Sequence, residues 1–347
     1  MKQIEYMDLM DYCFRNSDPL VYKEIRKDFE EHFRQALEEG KKEEEIVREL
    51  GDPKVIYEEY KAEGLLEESS RFDFSIFTDL IEEMGEVFNK KKCDTSLVDK
   101  EWIVTDQIHR IEILSEGFDI KLKNHKEDYI KINYKSEENA SLPIQVKDAH
   151  LKVGSLDANR FLKSGEISCF KDLECYIPED CDMGIHILAI SGRINLSVLH
   201  NDVTIRTGKG EIFCETKGDN VTIDAALANV KVKGDQKEIY IKTAAGNIDI
   251  NSRTPTMDIN TINGKVAAKI LRSRKVKIRS ISSDIHLKMA EMKGRASLSS
   301  MSGEIMMEKK YKESSKKYGK TMKEIWSEED RTVHLSSVSG NIFVDKL

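Results

Sequence analysis

Ile185-His-Ile-Leu-Ala-Ile-Ser-Gly-Arg-Ile194-Asn-Leu196 returns eighteen residues later as Val203-Thr-Ile-Arg-Thr-Gly-Lys-Gly-Glu-Ile212-Phe-Cys214. The pattern recurs from Val221, Ile239, Met257, Val276 and Ala296 at intervals of 18 to 20 residues, and again from Val333 after an insertion. Two residues after each start stands Ile or Leu, and four after it a small residue, from Ala189 and Thr207 to Ser300 and Ser337. A turn follows, carrying glycine except at Ala228 and Ser283, and apolar residues then resume at every second position. Fixed columns at a fixed period are the signature of a stacked repeat. The every-second-residue spacing marks half-buried strands, since an amphipathic helix needs spacings of three and four.

One such repeat cannot bury its own apolar face. Stacking copies builds a core from identical columns, and β-branched residues suit its pleated surface. The sequence therefore predicts a β-solenoid of about 18-residue rungs, with a two-sheet sandwich of hairpins as the competing arrangement. Small residues beside the turn suit a place where room is short. Glycine there serves either a positive φ or a close backbone approach, and Ala228 and Ser283 favour the second reason.

Working outward, residues 1–66 change character. Steps of four join Val21, Ile25, Phe29, Phe33 and Leu37 into one helical stripe, with Ser17-Asp18-Pro19 as its start and Gly40 as its stop. A helix over 4–16 precedes it. A short one over 43–50 follows, with Ile46, Val47 and Leu50 inward and Gly51 at its end. Asp52-Pro53 opens a fourth, with Val55, Ile56 and Tyr60 on its apolar face. The predicted fold class is thus α+β multidomain. A helical bundle over 1–66 leads through an amphipathic helical connector over 67–101 to a strand-repeat body over 102–347. In the connector, Ile76, Phe77, Leu80, Ile81, Met84, Val87 and Phe88 mark a helix over 75–89. In the body, less regular strands run from Trp102 to Pro178, and Ser164-Gly165 resembles the repeat turn. An excursion over 309–331, with Tyr311, Tyr318 and Trp326, reads as helical or mobile, and the last repeat reads as an uncapped edge open to self-association.

The run Phe29-Glu-Glu-His-Phe-Arg-Gln-Ala-Leu-Glu-Glu-Gly40, followed by Glu43-Glu-Glu-Ile-Val-Arg-Glu-Leu-Gly-Asp-Pro53, resembles the small bacterial HAAS signalling domain. That resemblance implies a PadR-type transcription regulator as partner. Many members carry a membrane segment after the helices, and this chain departs from that plan. Leu173-Glu-Cys-Tyr-Ile-Pro-Glu-Asp180 and the Ser-Gly-x-Ile turns at Ser302-Gly-Glu-Ile305 and Ser339-Gly-Asn-Ile342 are similar to a bacterial β-strand-repeat family of unknown function, named as candidate adhesins. That resemblance covers roughly 105–347, implies a β-solenoid, and supplies no catalytic residues.

Net charge is −8, and residues 1–68 hold 20 acidic against 11 basic side chains. An acidic first domain argues against direct nucleic-acid binding, which needs a basic footprint. Met1-Lys-Gln-Ile-Glu is no signal peptide, and no apolar run is long enough to span a bilayer, so a cytoplasmic protein is expected. Cys13, Cys93, Cys169, Cys175, Cys181 and Cys214 include no C-x-x-C pair. The even spacing of Cys169, Cys175 and Cys181 matches no zinc pattern, so free thiols are expected. Thr207-Gly-Lys-Gly210 lacks phosphate-loop spacing, and no G-x-S-x-G or H-E-x-x-H occurs. No catalytic, cofactor or metal residues are therefore nominated. The expected function is a non-enzymatic signalling scaffold whose helical domain binds a protein partner. The rivals are a self-assembling structural solenoid and, further off, a polysaccharide-acting enzyme or an adhesin.

Overall fold

The computed structural model describes residues 2–15, 17, 19–62, 97–155, 170–199, 201–291, 294–300, 302–307, 314–316, 319–325 and 331–347. The expected helix over 75–89, the turn at Ser164-Gly165, Cys93, Cys169, Tyr311, Tyr318 and Trp326 lie outside the described residues. A small N-terminal helical part precedes a large sheet-rich part, and two compact units divide the chain. One gathers Met1–Phe72, Asp258–Lys269 and Ser273–Leu347, and the other Asp73–Met257 with Ile270–Arg272.

In the second unit the repeats lie side by side in parallel. Ile185, Val203, Val221 and Ile239 are register neighbours, as are Ile194, Ile212, Val230 and Ile248 beyond the turn. Parallel ladders between successive repeats exclude a sandwich of hairpins, whose neighbours would run antiparallel. Asp202–Lys217 and Asn220–Gly234 continue as single strands through the bend. The order then departs from the sequence. Arg110–Ser115 lies between His150–Gly154 and Gly184–Ala189, so Ile111 faces both Leu151 and Ile185. Ile120–His125 likewise lies between Phe170–Pro178 and Arg193–Leu199. Antiparallel strands Ile144–Lys147, Ile130–Ser136 and Val98–Val104 are added outside, so this sheet is open.

The first unit shows the same intercalation. Thr332–Ser337, the last repeat, lies between Lys275–Ser280 and Arg295–Ser300, with Val333 beside both Val276 and Ala296. Past the turn, Ile342 faces Ile285 on one side and Ile305 on the other. The expectation of an exposed final rung is therefore corrected, because the repeat that stands outermost starts at Ala296. Its Ile305 and Met307 are half-buried, whereas Ile342 and Val344 are fully buried. The excursion is corrected too. Gly319–Ile325 pairs antiparallel with Arg295–Ser300, and Ser314–Lys316 folds back on it. A strand edge presents unpaired N–H and C=O groups, and this hairpin satisfies them.

The small column has a chemistry that the sequence reading missed. Ser280, Ser300 and Ser337 accept hydrogen bonds at Oγ from the backbone N–H groups of Ser283, Gly303 and Gly340, at 2.7, 3.0 and 2.9 Å. Thr207, Thr243 and Thr261 instead donate to the carbonyl two residues on. Each hydroxyl closes its own turn locally. Close approach explains the glycines, and at Gly192, Gly210, Gly246 and Gly264 a positive φ of 121° to 138° adds to it. At Gly210 a Cβ would lie 2.0 Å from the Gly192 carbonyl oxygen, and at Gly340 it would lie 1.9 Å from that of Ser283.

Helices α1 (Gln3–Phe14), α2 (Pro19–Glu38), α3 (Glu43–Leu50) and α4 (Pro53–Ala62) follow the sequence expectation closely. Gly51 ends α3 at φ 87°, and Asp52 accepts the Lys54 N–H at 2.9 Å to start α4. Leu37 and Val55 depart from the predicted faces at 40% and 47% exposed. The inward face of α4 is made by Ile56, Tyr57 and Tyr60 instead.

Candidate functional site

The bundle core is unusually aromatic. Tyr6 packs on Phe29 and Phe33 at ring separations of 6.2 and 5.6 Å, and Phe14 packs on Tyr22, Tyr57 and Tyr60 at 5.2 to 5.7 Å. These rings share one buried cluster with Met7, Met10, Ile25, Ile46 and Ile56, and with two residues that belong to the repeats, Ile281 and Val338. Ile262 packs against the same cluster. The helical module is therefore seated on repeat turns, where burying each such side chain contributes about 1.5–3 kcal/mol.

The seat is held rigid from beneath. Val338 and Ser339 donate their backbone N–H groups to the Ile281 carbonyl at 3.0 and 2.9 Å, and Ser282 donates to Ile262 at 2.8 Å. Ser337 Oγ adds a contact to the Ile281 carbonyl at 3.4 Å. The sequence carried a signal for the seat that column reading passed over. Five residues after each start, the middle repeats have Gly208, Ala226 and Ala244, whereas later repeats have Ile262, Ile281, Met301 and Val338. Large apolar residues return to the turn in the unit that holds the bundle.

Away from the seat, α1 exposes Ile4, Leu9 and Tyr12, at 71%, 45% and 63%. Arg15 stacks on the Tyr12 ring at 4.3 Å. Asp11 accepts from Arg26 Nε at 3.1 Å and from the Tyr22 hydroxyl, and burial first, then this bond, raises the Tyr22 pKa. Arg34 pairs with Glu31 and Glu38, and Lys41 with Glu49, all on exposed surface where such pairs contribute little.

The remaining sequence candidates disperse. Cys175 and Cys214 are buried, and burial pushes each thiol up to about 12. Cys181 is half-buried and donates to the Pro178 carbonyl at 2.9 Å, and Cys13 sits at the edge of the bundle core. Burial raises both of these pKa values, with Asp52 adding to the effect at Cys13. No group of three potential metal ligands occurs among the described residues. A cleft of about 510 Å³ opens in the second unit, with Asp106, Glu127, Asp128, Glu179, Asp180 and Asp182 on its walls. No helix among the described residues is long and apolar enough to cross a membrane.

A four-helix module set on the turns of a parallel strand-repeat sheet defines a two-module class of protein. The chain belongs to the Toastrack DUF4097 family, whose model matches residues 108–345, and residues 18–59 match the HAAS family. Crystal structures of similar proteins include a candidate adhesin from Bacteroides fragilis, 14% identical, covering 72% of this chain and 97% of its own at a TM-score of 0.46. Another candidate adhesin, from Parabacteroides distasonis, is 13% identical and covers 73% and 98% at a TM-score of 0.46. A candidate lipid-binding protein from the same species is 13% identical over 73% and 98%, with a TM-score of 0.34. No curated protein matches this chain significantly.

Proposed function

We propose that this protein is a non-enzymatic, cytoplasmic signalling scaffold. The helical module binds a protein partner, and the repeat body, read as a β-solenoid of about 18-residue rungs, gives it a rigid mount. The observation that carries this reading is the seat, where Ile281 and Val338 enter the bundle core and leave Ile4, Leu9 and Tyr12 of α1 on the outer surface. An exposed tyrosine stacked by an arginine, as Tyr12 is by Arg15, has the composition of an interface hot spot. The HAAS match favours a PadR-type regulator as the partner class. The test is direct binding of the full chain to the host's PadR-type regulator by calorimetry, with Tyr12→Ala as comparison. Affinity that falls ~10-fold or more in the variant supports the reading, and absence of binding removes it.

A second reading, self-assembly, is favoured by a different observation. The strand Val98–Val104 exposes Val98, Trp102 and Ile103, at 37%, 50% and 49%. Light scattering of the full chain across concentrations tests it, and a constant monomer mass eliminates it.

A further inference from the structure

We propose that two copies of this chain associate through opposite charges, the acidic cleft in the second unit of one copy receiving the basic strand edge in the first unit of the other. Neither surface includes the α1 face or the strand Val98–Val104, so this contact goes beyond both readings above.

Three loops build the acidic surface. Residues 105–109, 126–129 and 179–183 each join two strands, and backbone bonds tie the loops to one another. Glu179 donates its N–H to the His125 carbonyl at 2.9 Å, and Gly184 donates to that of His109 at 3.0 Å. Asp106, Glu127, Asp128, Glu179, Asp180 and Asp182 stand on the walls of the 510 Å³ cleft, and all six are exposed. Among the described residues none of these carboxylates forms an ion pair. Lys126 and His109 are the basic side chains on the walls, so negative charge is in excess and the carboxylates repel one another. Ile108, Ile130 and Met183 line the same cleft and are buried, which makes its inner lining apolar. Such a cleft accepts the methylene stem of an arginine or lysine and sets the charged head among carboxylates.

The basic surface lies where three strands of the first unit begin. Lys275, Thr332 and Arg295 are register neighbours across those strands. Arg274 and Arg331 stand one residue before the same row. The Arg274 carbonyl accepts from Thr332 at 2.7 Å, and the Arg331 carbonyl accepts from Arg295 at 2.8 Å. Adjacent strands lie ~4.8 Å apart, so the backbones carrying these four cations span roughly 10 Å of edge. Arg274, Lys275 and Arg295 are exposed and form no ion pair among the described residues. Arg331 meets Glu291 at 3.4 Å.

One chain thus carries both halves of a complementary contact, and a second copy is a partner that supplies the missing half at each. The contact joins two different surfaces and is therefore heterologous. A single exposed ion pair contributes little, so several form together, and the apolar lining adds burial. Charges farther apart than ~10 Å are screened at ~0.1 M salt, so the facing surfaces decide the contact rather than the net charge of −8.

Light scattering of the full chain across concentrations, at about 50 mM and about 500 mM salt, tests this contact. The unchanged protein is expected to associate at low salt, with an apparent Kd that rises ~10-fold or more at high salt. Two charge-reversed variants accompany it, Asp180→Lys with Asp182→Lys, and Arg274→Glu with Arg295→Glu. All four positions are exposed, and circular dichroism checks that each variant folds. Should one misfold, Glu127→Lys with Asp128→Lys, or Lys275→Glu, takes its place. Each variant alone stays monomeric, because both of its surfaces then carry one sign. An equimolar mixture of the two associates again, since each supplies the surface that the other lacks. Trp102→Ser associates as the unchanged protein does. Loss of association in Trp102→Ser assigns the contact to the strand edge instead and overturns the proposal. A constant monomer mass at low salt, association that ignores salt and the reversals, or a mixture that stays monomeric also overturns it.

Discussion

Replacing Ile342 and Ile305 separately by alanine tests the intercalated order of the repeats with a matched pair. Both occupy the same column, both are isoleucine, and they face each other across neighbouring strands. Ile342 is fully buried between Ile285 and Ile305, whereas Ile305 is half-buried in the outermost repeat. Alanine removes three carbons, roughly 0.8 kcal/mol each when fully buried, so the transfer cost at Ile342 is about 2.4 kcal/mol. A closed cavity adds to that, giving about 3–4 kcal/mol in all. At Ile305 half of the transfer cost is lost and solvent fills the space, leaving about 1 kcal/mol. Urea unfolding followed by circular dichroism reads both variants, and by melting the gap is about 4–12 °C. Stacking in sequence order predicts the reverse, since Ile342 would then be terminal and Ile305 internal. An Ile305→Ala cost equal to or above that of Ile342→Ala refutes the intercalated order.

Three further outcomes follow from particular contacts. Gly210→Ala, at φ 138° with a carbonyl 2.0 Å from the new Cβ, should cost about 2–3 kcal/mol, whereas Gly40→Ala, at φ 86° in open space, should cost about 1 kcal/mol; comparing their urea midpoints checks both. Ser337→Ala removes the acceptor for the Gly340 N–H and should cost about 1–2 kcal/mol, and Ser337→Thr, which keeps a hydroxyl, should recover part of it in the same assay. Cys175 and Cys214, pushed up to about 12, should resist alkylation at pH 8 until the protein unfolds. Their unfolded thiols ionise first as pH rises through about 9, so the unfolded state then binds fewer protons and stability falls between about pH 9 and 12. Stability that rises across that window contradicts the burial of both thiols.

Much of the architecture was legible because it is written in local chemistry. Every residue two positions after a repeat start is buried, from Ile187 to Leu335, because a period of two places it on one side of a strand. The bundle was legible through caps and stops, since Gly51 and Asp52 act through their own backbone neighbours. The candidate site was less so. Ile262, Ile281 and Val338 stand outside the inward columns, and only their contrast with Gly208, Ala226 and Ala244 marks them in sequence. The neighbourhood of Lys275, Thr332 and Arg295 was not legible at all, for Lys275 and Thr332 are 57 residues apart in sequence and belong to repeats that are not consecutive.

The amino-acid sequence alone determined the strand period, the inward columns, the four helices and the two families to which the parts belong. Those features depend on side-chain spacing within a few residues, which no later packing alters. Tertiary structure alone decided the order in which the repeats stack. A parallel ladder accepts any strand with the right columns, and all the repeats share nearly the same columns, so local pattern does not choose among neighbours. The choice falls to the whole assembly, where the segment from Val333 pairs along both edges and the hairpin at Gly319–Ile325 covers the edge that remains.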